Sequence, residues 1–261
     1  MTIKQVTSPA NPDIKAIRAL EMRKERKATG LFMAEGMRHV IEGVDNGWEL
    51  MMLAYHEKLS NRNELERPKR VCVHNGGTVL EVNDLVLEKL SHKDNPQQVI
   101  GVFKQRLSNG IEPKRCIVAL EQVRDPGNLG TIIRTVDGIG ADGVVLIDQC
   151  CDPFSQEAVR ASMGSLFAVP IMQMTKAEFI THIKSFKGTV VGTHLTAKTV
   201  DYREVEYTSP TILVMGNEQA GLSPELAEAL PTLVKLPMNG RADSLNLAIA
   251  TGVMLYKIAE V

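Results

Sequence analysis

Strands and helices alternate without a break through the second half of this chain, and this pattern restricts the fold more than any other feature. Short apolar, β-branched segments at 116–123, 143–148, 189–195 and 211–216 are separated by segments with helical periodicity. Parallel strands need crossover helices, which cover both faces of the sheet. The sequence therefore predicts an α/β fold with a mostly parallel sheet in residues 115–261.

The first hundred residues show a similar alternation of shorter strands and helices. We expect a smaller α/β domain over residues 1–105, joined to the larger domain by a polar, turn-rich linker at 106–114. A single helix is predicted from Pro12 to about Ala28, and the last helix is predicted to begin at Ser244.

Composition excludes several classes of protein. With 44% hydrophobic residues in 261, the chain can bury a core and is not disordered. It lacks an apolar run of membrane-spanning length and an apolar signal core at its start, so we expect a cytoplasmic protein without a membrane partner. Its four cysteines lack the spacing of a zinc site, so we expect reduced thiols and no metal.

Basic residues concentrate near the start of the chain, although the net charge is only −1. A basic helix face is a candidate contact for RNA phosphates, although a charged run is also typical of an ordinary solvated helix. The candidate RNA-binding residues are Arg23, Lys24, Arg26 and Lys27.

Three loops that follow strands of the larger domain combine flexible residues with polar side chains. They span residues 121–134, 216–223 and 237–248. Ligands of parallel α/β sheets bind at the carboxyl ends of the strands, so these loops are expected to share one site. Taken singly, each polar residue has a simpler interpretation as a helix cap or a surface ion pair. The candidates are Asn128, Arg134, Glu218, Ser244 and Asn246.

Gly138, Gly140 and Gly143 match the dinucleotide-binding pattern GxGxxG, which is the basis for an alternative function as an oxidoreductase. That motif requires a strand before the glycines and a helix after them. Here a helical segment precedes and a strand follows. We therefore interpret these glycines as a helix end and turn.

The segments DPGNLGTIIR, GNEQAGLS and PMNGRADSLNLA resemble the three motifs of the SpoU, or TrmH-like, branch of the SPOUT RNA methyltransferases. The N-terminal region resembles the ribosomal-protein-like substrate-binding domain that precedes many members. The resemblance implies a C-terminal trefoil knot, a homodimer with composite sites, and binding of S-adenosylmethionine. It also implies methyl transfer to a ribose 2′-OH of ribosomal or transfer RNA. A non-catalytic RNA-binding factor on the same fold is the alternative.

The resemblance also assigns roles to individual residues. It makes the five candidates above catalytic, with Arg134 acting on the 2′-OH. A guanidinium does not readily lose a proton, so a phosphate clamp with substrate-assisted proton loss is an equal alternative. Gln219 stands where the family commonly has glycine, and a positive φ there would be strained. The implied cofactor contacts, largely through backbone, are Thr193, Leu195, Gly216, Leu236, Met238 and Leu245.

Overall fold

The computed structural model describes residues 3–91, 97–196 and 199–260, which form two compact units. The strands are β1 (Ile3–Val6), β2 (Leu31–Glu35), β3 (Leu50–His56), β4 (Thr78–Val82), β5 (Val99–Lys104), β6 (Cys116–Glu121), β7 (Gly143–Ile147), β8 (Ile171–Met174), β9 (Thr189–Thr193), β10 (Val200–Asp201), β11 (Thr211–Met215) and β12 (Thr232–Lys235). The α-helices are α1 (Pro12–Ala19), α2 (Arg23–Thr29), α3 (Met37–Asp45), α4 (Glu66–His74), α5 (Asp84–Ser91), α6 (Pro126–Gly138), α7 (Gln156–Ala161), α8 (Lys176–Lys184), α9 (Pro224–Ala229) and α10 (Leu247–Ala259).

The first unit contains a five-stranded mixed sheet in the order β1-β4-β3-β5-β2. β1, β4 and β3 are parallel, whereas β5 runs antiparallel to both β3 and β2. The smaller α/β domain expected from the sequence is confirmed. Its first strand, β1, had not been predicted, because a four-residue segment with polar residues at its centre carries little periodic signal.

The prediction of one helix from Pro12 to Ala28 is wrong, because α1 ends at Ala19 and α2 begins at Arg23. Arg26 stabilises this break. Its Nη1 donates hydrogen bonds to the carbonyl oxygens of Leu20 and Glu21 at 2.8 and 2.7 Å. The side chain thereby satisfies carbonyl groups that the end of a helix leaves without partners.

The segment Phe154–Ala168, which includes α7, is part of the first unit. The sequence pattern had placed it in the second domain, because its helix continues the alternation there. Phe154 and Phe167 instead pack against the rings of Phe32 and Trp48, with centroids 4.9 to 6.3 Å apart. The indole Nε1 of Trp48 also donates to the carbonyl oxygen of Phe167 at 2.9 Å. Aromatic burial therefore assigns this segment to the first unit.

The second unit, Leu107–Pro153 with Val169–Val261, contains a seven-stranded sheet in the order β10-β12-β9-β11-β6-β7-β8. Each neighbouring pair is parallel, as the alternation predicted. Strands β6, β7 and β11 are buried along their whole length, which is typical of a sheet covered on both faces. The carboxyl ends of the parallel strands meet at one edge, where the three candidate loops emerge after β6, β11 and β12.

The interpretation of the GxGxxG match as a helix end and turn is confirmed. Helix α6 ends at Gly138, Gly140 has a left-handed φ of 63°, and β7 begins at Gly143. Among the described residues, no helix combines the length and apolar character that crossing a bilayer requires.

Candidate active site and cofactor cavity

A chain of side-chain hydrogen bonds joins the loops after β6, β11 and β12. The carboxylate of Glu218 accepts from the Nδ2 of Asn128 at 3.3 Å, and the Oδ1 of Asn128 accepts from the Nδ2 of Asn246 at 2.9 Å. Asn128 and Asn246 are 118 positions apart in the chain. The structure therefore brings together three of the five catalytic candidates, one from each loop.

Glu218 also orders the backbone that leads into α6. Its two carboxylate oxygens accept from the backbone N–H groups of Arg124 at 3.3 Å and Asp125 at 3.2 Å. Asp125 in turn caps α6 by accepting from the backbone N–H of Asn128 at 2.6 Å. Negative charge is favourable at this position, because the N-terminus of a helix carries partial positive charge. Glu218 is thus a structural link between the second and first loops.

The last helix begins three residues later than the sequence predicted. Asn246 is its N-cap, and its Oδ1 accepts from the backbone N–H groups of Ala248 and Ile249 at 2.9 and 3.3 Å. Ser244 lies outside the helix and lines the adjacent cavity. The side chain of Asn246 therefore fixes the start of α10 and simultaneously contacts the first loop.

Arg134 is exposed on α6, and its side chain makes no hydrogen bond or ion pair within the described part of the chain. It follows Asn128 by six positions, which at about 100° per residue separates the two side chains by roughly 120° around the helix and about 9 Å along it. The structure of the single chain therefore does not bring Arg134 into the hydrogen-bonded group formed by Asn128, Glu218 and Asn246.

A cavity of about 420 Å³ lies beside this group, at the carboxyl ends of β9, β11 and β12 and the start of α10. Its size lies within the range of roughly 300 to 1,000 Å³ that is usual for small-molecule sites. Glu218 and Ser244 also line it. All six cofactor contacts implied by the sequence line this cavity: Thr193, Leu195, Gly216, Leu236, Met238 and Leu245.

Close backbone packing shapes the wall of the cavity at Gly216. A Cβ at this position would lie less than 3.0 Å from backbone atoms of Gly221 and Leu222. The residue with a left-handed backbone in this loop is Gly221, whose φ is 68°, and Gln219 is not among the described residues with positive φ. The condition for strain at Gln219, a positive φ, is therefore not met, because the turn places its left-handed residue two positions later.

The sequence did not single out Asn217, which organises the same loop. Its Oδ1 accepts from the backbone N–H groups of Gln219 and Ala220 at 3.0 and 3.2 Å, and its Nδ2 donates to the carbonyl oxygen of Gln122 at 2.8 Å. An asparagine in the loop that follows a strand commonly forms such a turn, so a signal was present. Asn217 therefore connects the second loop to the end of β6.

A buried ion pair at the end of β6 was also missed. The Nζ of Lys176 lies 2.9 Å from the Oε1 of Glu121, whose side chain is only 2% exposed. Ser223 donates its backbone N–H and its hydroxyl to the same carboxylate at 2.7 and 2.6 Å. The hydrogen bond to Glu121 raises the pKa of Lys176 above its usual value. These contacts tie the start of α8 and the N-cap of α9 to β6.

The lining of the cavity suits S-adenosylmethionine. The carboxylates of Glu218 and Asp243 offer negative charge to a sulfonium cation. The backbone N–H groups of Leu236 and Met238 donate to no group within the described residues, which leaves them available to an adenine. Met215 and Leu247 add apolar surface.

The cysteines are free, and burial raises the pKa of Cys150 to about 11 and that of Cys151 to about 12. Both thiols are therefore protonated at neutral pH and poor nucleophiles. In the described residues, no group of three or more His, Cys, Asp or Glu side chains has a metal-binding arrangement.

The candidate RNA-binding residues of α2 divide into two kinds. Arg23, Lys24 and Lys27 are exposed, whereas Arg26 is 4% exposed and is bound to the end of α1. Arg26 is therefore a structural residue, and its assignment to RNA contact is wrong. Helical periodicity gave no sign of this, because the helix was expected to be continuous through this point.

Comparison with known proteins assigns both units. The model of the SpoU rRNA Methylase family matches residues 115–256, and that of the MRM3-like substrate binding domain matches residues 11–101. The 23S rRNA (guanosine(2553)-2′-O)-methyltransferase RlmP of Bacillus subtilis is 28% identical over 98% of this chain and 99% of its own length.

Solved structures agree over nearly the full length. An AdoMet-bound rRNA methyltransferase from Sinorhizobium meliloti has a TM-score of 0.91 and 47% identity, covering 99% of this chain and 98% of that chain. The SpoU methyltransferase AviRb from Streptomyces viridochromogenes, in complex with AdoMet, has a TM-score of 0.82 and 26% identity, covering 96% and 97%. The triple-loop site and these matches lead to the same conclusion: the chain belongs to the SpoU rRNA methylase family.

Proposed function

We propose that this protein transfers a methyl group from S-adenosylmethionine to a ribose 2′-OH of ribosomal RNA. The observation that carries the proposal is the convergence of the three loops beside one cavity lined by the six implied cofactor contacts. The relatives in Bacillus subtilis and Streptomyces viridochromogenes are named as 23S rRNA 2′-O-methyltransferases, which favours ribosomal over transfer RNA.

The chain contributes mainly positioning to this reaction. When bound, S-adenosylmethionine supplies an activated methyl group on a sulfonium. Glu218, Asn128 and Asn246 fix the relative positions of the cavity wall and the start of α6. Holding the 2′-oxygen in line with the methyl carbon accounts for much of the rate enhancement expected of such an enzyme.

Arg134 acts in this proposal as a charged donor and not as a base. Its guanidinium remains protonated at neutral pH, so it holds an RNA phosphate close to the reacting ribose. The proton of the 2′-OH then passes to a phosphate oxygen of the substrate as the new O–CH₃ bond forms and the methyl–sulfur bond breaks, with the neutral thioether S-adenosylhomocysteine as the leaving group. Arg134 and the substrate together thereby stabilise the developing negative charge on the 2′-oxygen.

We further propose that a homodimer completes the site. Ile249, Val253 and Tyr256 are 58%, 37% and 48% exposed and recur at the helical spacing of one face of α10. α10 packs on α6, where a Cβ added at Gly252 would lie 4.0 Å from Thr135, next to Arg134. A second copy covering this apolar face would place its own Arg134 near a neighbouring cavity, which agrees with a composite site.

The two domains have different roles in the proposed enzyme. Residues 1–105 bind the RNA, with Arg23, Lys24 and Lys27 contacting phosphates, and residues 115–261 carry the cofactor and the chemistry. In this proposal the C-terminal segment threads a loop to make a trefoil knot, and the cofactor binds within it. The reaction takes place in the cytoplasm, where ribosomal RNA is available.

Methyl transfer is tested with S-adenosylmethionine labelled in the methyl group and unmodified 23S ribosomal RNA, with transfer RNA as a second substrate. We expect label at a ribose 2′-oxygen of ribosomal RNA and loss of turnover in Arg134→Ala with RNA affinity largely retained. If the wild-type protein binds both cofactor and RNA but transfers nothing, the proposal is wrong and the chain is a non-catalytic RNA-binding factor.

A further inference from the structure

A second depression, of about 810 Å³, lies at the carboxyl ends of β6, β7 and β8. We call it the glutamine groove, since Gln122, Gln149 and Gln173 line it together with Arg124. The backbone N–H of Arg124 donates to the carboxylate of Glu218. Glu218 lines the cofactor cavity, so the segment at Arg124 separates the groove from that cavity.

The backbone of the groove is held in an uncommon conformation at two points. Gln122, directly after β6, has a φ of 51°, and Asp148, directly after β7, has a φ of 55°. Non-glycine residues in this region cost on the order of 1–3 kcal/mol. At Gln122 the conformation is maintained by hydrogen bonds of its N–H to Ile147 at 3.3 Å and of its carbonyl to Asn217 at 2.8 Å. Such conformations concentrate at ligand sites.

The acidic side chains of the groove already have partners within the protein. Asp148 accepts from the backbone N–H of Lys176 at 2.8 Å, and the Nζ of Lys176 lies 3.9 Å from its carboxylate. Glu178 accepts from both the backbone N–H and the hydroxyl of Thr175 at 2.8 Å. Internal pairing therefore reduces the repulsion that these carboxylates would exert on a polyanion.

The remaining polar side chains have no such partners. Within the described residues, the amides of Gln122, Gln149 and Gln173 and the guanidinium of Arg124 make no hydrogen bond or ion pair. A primary amide offers a donor and an acceptor side by side, which matches the edge of a nucleobase, and arginine binds phosphate or guanine. None of the described residues that line the groove is aromatic, so recognition would depend on hydrogen bonds and not on stacking.

We propose that the glutamine groove binds an unpaired nucleotide of the RNA. This nucleotide lies close, along the RNA strand, to the ribose that is methylated. The inference rests on the proposed function, since it requires that the cofactor cavity is the methyl-donor site. Arg124 and Glu218 lie between the groove and that cavity. It assigns base recognition to the second unit itself, whereas phosphate contacts at α2 carry no sequence information.

The test is a Gln149→Ala, Gln173→Ala double variant, compared with Asn109→Ala as a control. All three side chains are exposed, but Ser108 bonds to Ile171 at the start of β8, which places Asn109 near the opposite edge of the sheet. For the double variant we expect the Kd for unmodified 23S ribosomal RNA, measured by fluorescence anisotropy without cofactor, to rise about tenfold or more. The KM for this RNA should rise similarly, while kcat at saturating RNA and the Kd for S-adenosylmethionine stay at wild-type values.

The outcomes separate this inference from the proposed function. If the double variant binds and methylates RNA as the Asn109→Ala control does, the groove does not contact the substrate and only this inference is overturned. If the wild-type protein methylates no RNA, both are overturned. A rise in the Kd for S-adenosylmethionine in the double variant would also overturn it, because the residues would then act on the cofactor cavity.

Discussion

Replacing Gly216 with alanine should strongly reduce cofactor binding. The added Cβ would lie less than 3.0 Å from the carbonyl carbon of Gly221 and the backbone nitrogen of Leu222. These neighbours are backbone atoms, which cannot rotate away as the end of a flexible side chain can. The loop must therefore move as a whole, and this loop forms one wall of the cofactor cavity.

The size of the effect follows from what the movement breaks. Asn217 and Gly221 are joined by two backbone hydrogen bonds, each of 2.9 Å, and the net contribution of one such bond is about 0.5–1.5 kcal/mol. Inserting a methyl group into a well-packed site costs about 1–3 kcal/mol. The native loop should thus be disfavoured by roughly 2–6 kcal/mol, and since 1.4 kcal/mol is tenfold, affinity for S-adenosylmethionine should fall at least tenfold.

Gly138→Ala provides the matched control. Gly138 ends α6, and a Cβ there would meet nothing within 4 Å. Alanine should be neutral or slightly stabilising at this position, because it has the higher helix propensity. The assay is isothermal titration calorimetry with S-adenosylmethionine, accompanied by thermal melting of each variant. If Gly216→Ala binds the cofactor as tightly as Gly138→Ala does, the argument that close backbone approach shapes this cavity is wrong.

Four further changes test other parts of the structure. Lys176→Met leaves the buried carboxylate of Glu121 without its cation, so we expect the free energy of unfolding in urea to fall by about 3–5 kcal/mol. Adding Glu121→Gln should restore part of this loss, whereas a loss below about 1 kcal/mol would contradict the argument. Val253→Asp places a charge in the exposed apolar face of α10 and should convert a dimer to monomers in light scattering at micromolar concentration, whereas a wild-type monomer would exclude the proposed assembly. Arg26→Ala should lower the melting temperature, since the carbonyl groups of Leu20 and Glu21, directly after α1, lose their donor. Glutamate at Arg23, Lys24 and Lys27 should instead weaken RNA binding and its salt dependence; an unchanged salt slope would place the RNA elsewhere.

The sequence predicted most of the fold because strand and helix alternation leaves few arrangements for a parallel sheet. The carboxyl ends of such strands share one edge, so loops far apart in the chain could be placed at one site before the structure was known. Glu218, Asn128 and Asn246 illustrate this, since each lies in a different loop and all three are hydrogen-bonded in one group.

What the sequence missed depends on contacts that have no local signal. The burial of Arg26 follows from a break between α1 and α2 that basic composition does not reveal. The placement of Phe154–Ala168 in the first unit depends on aromatic packing with Phe32 and Trp48, which are more than a hundred positions away. The turn that accommodates Gln219 is set by Asn217, whose side chain binds the loop backbone.

The same carboxylate connects the two ligand sites that we assign. Glu218 lines the cofactor cavity, while its oxygens bind the backbone of Arg124, at the glutamine groove, and the side chain of Asn128, on α6. A ligand in either site therefore acts on one hydrogen-bonded unit, and α6 also carries Arg134. If cofactor binding orders this hydrogen-bonded unit, RNA binding no longer has to supply the entropy lost in ordering it. Each ligand then raises the affinity of the protein for the other ligand, and by the same factor. We therefore expect positive coupling between cofactor and RNA, because Glu218 lines the cofactor cavity and also binds the backbone of Arg124 in the groove.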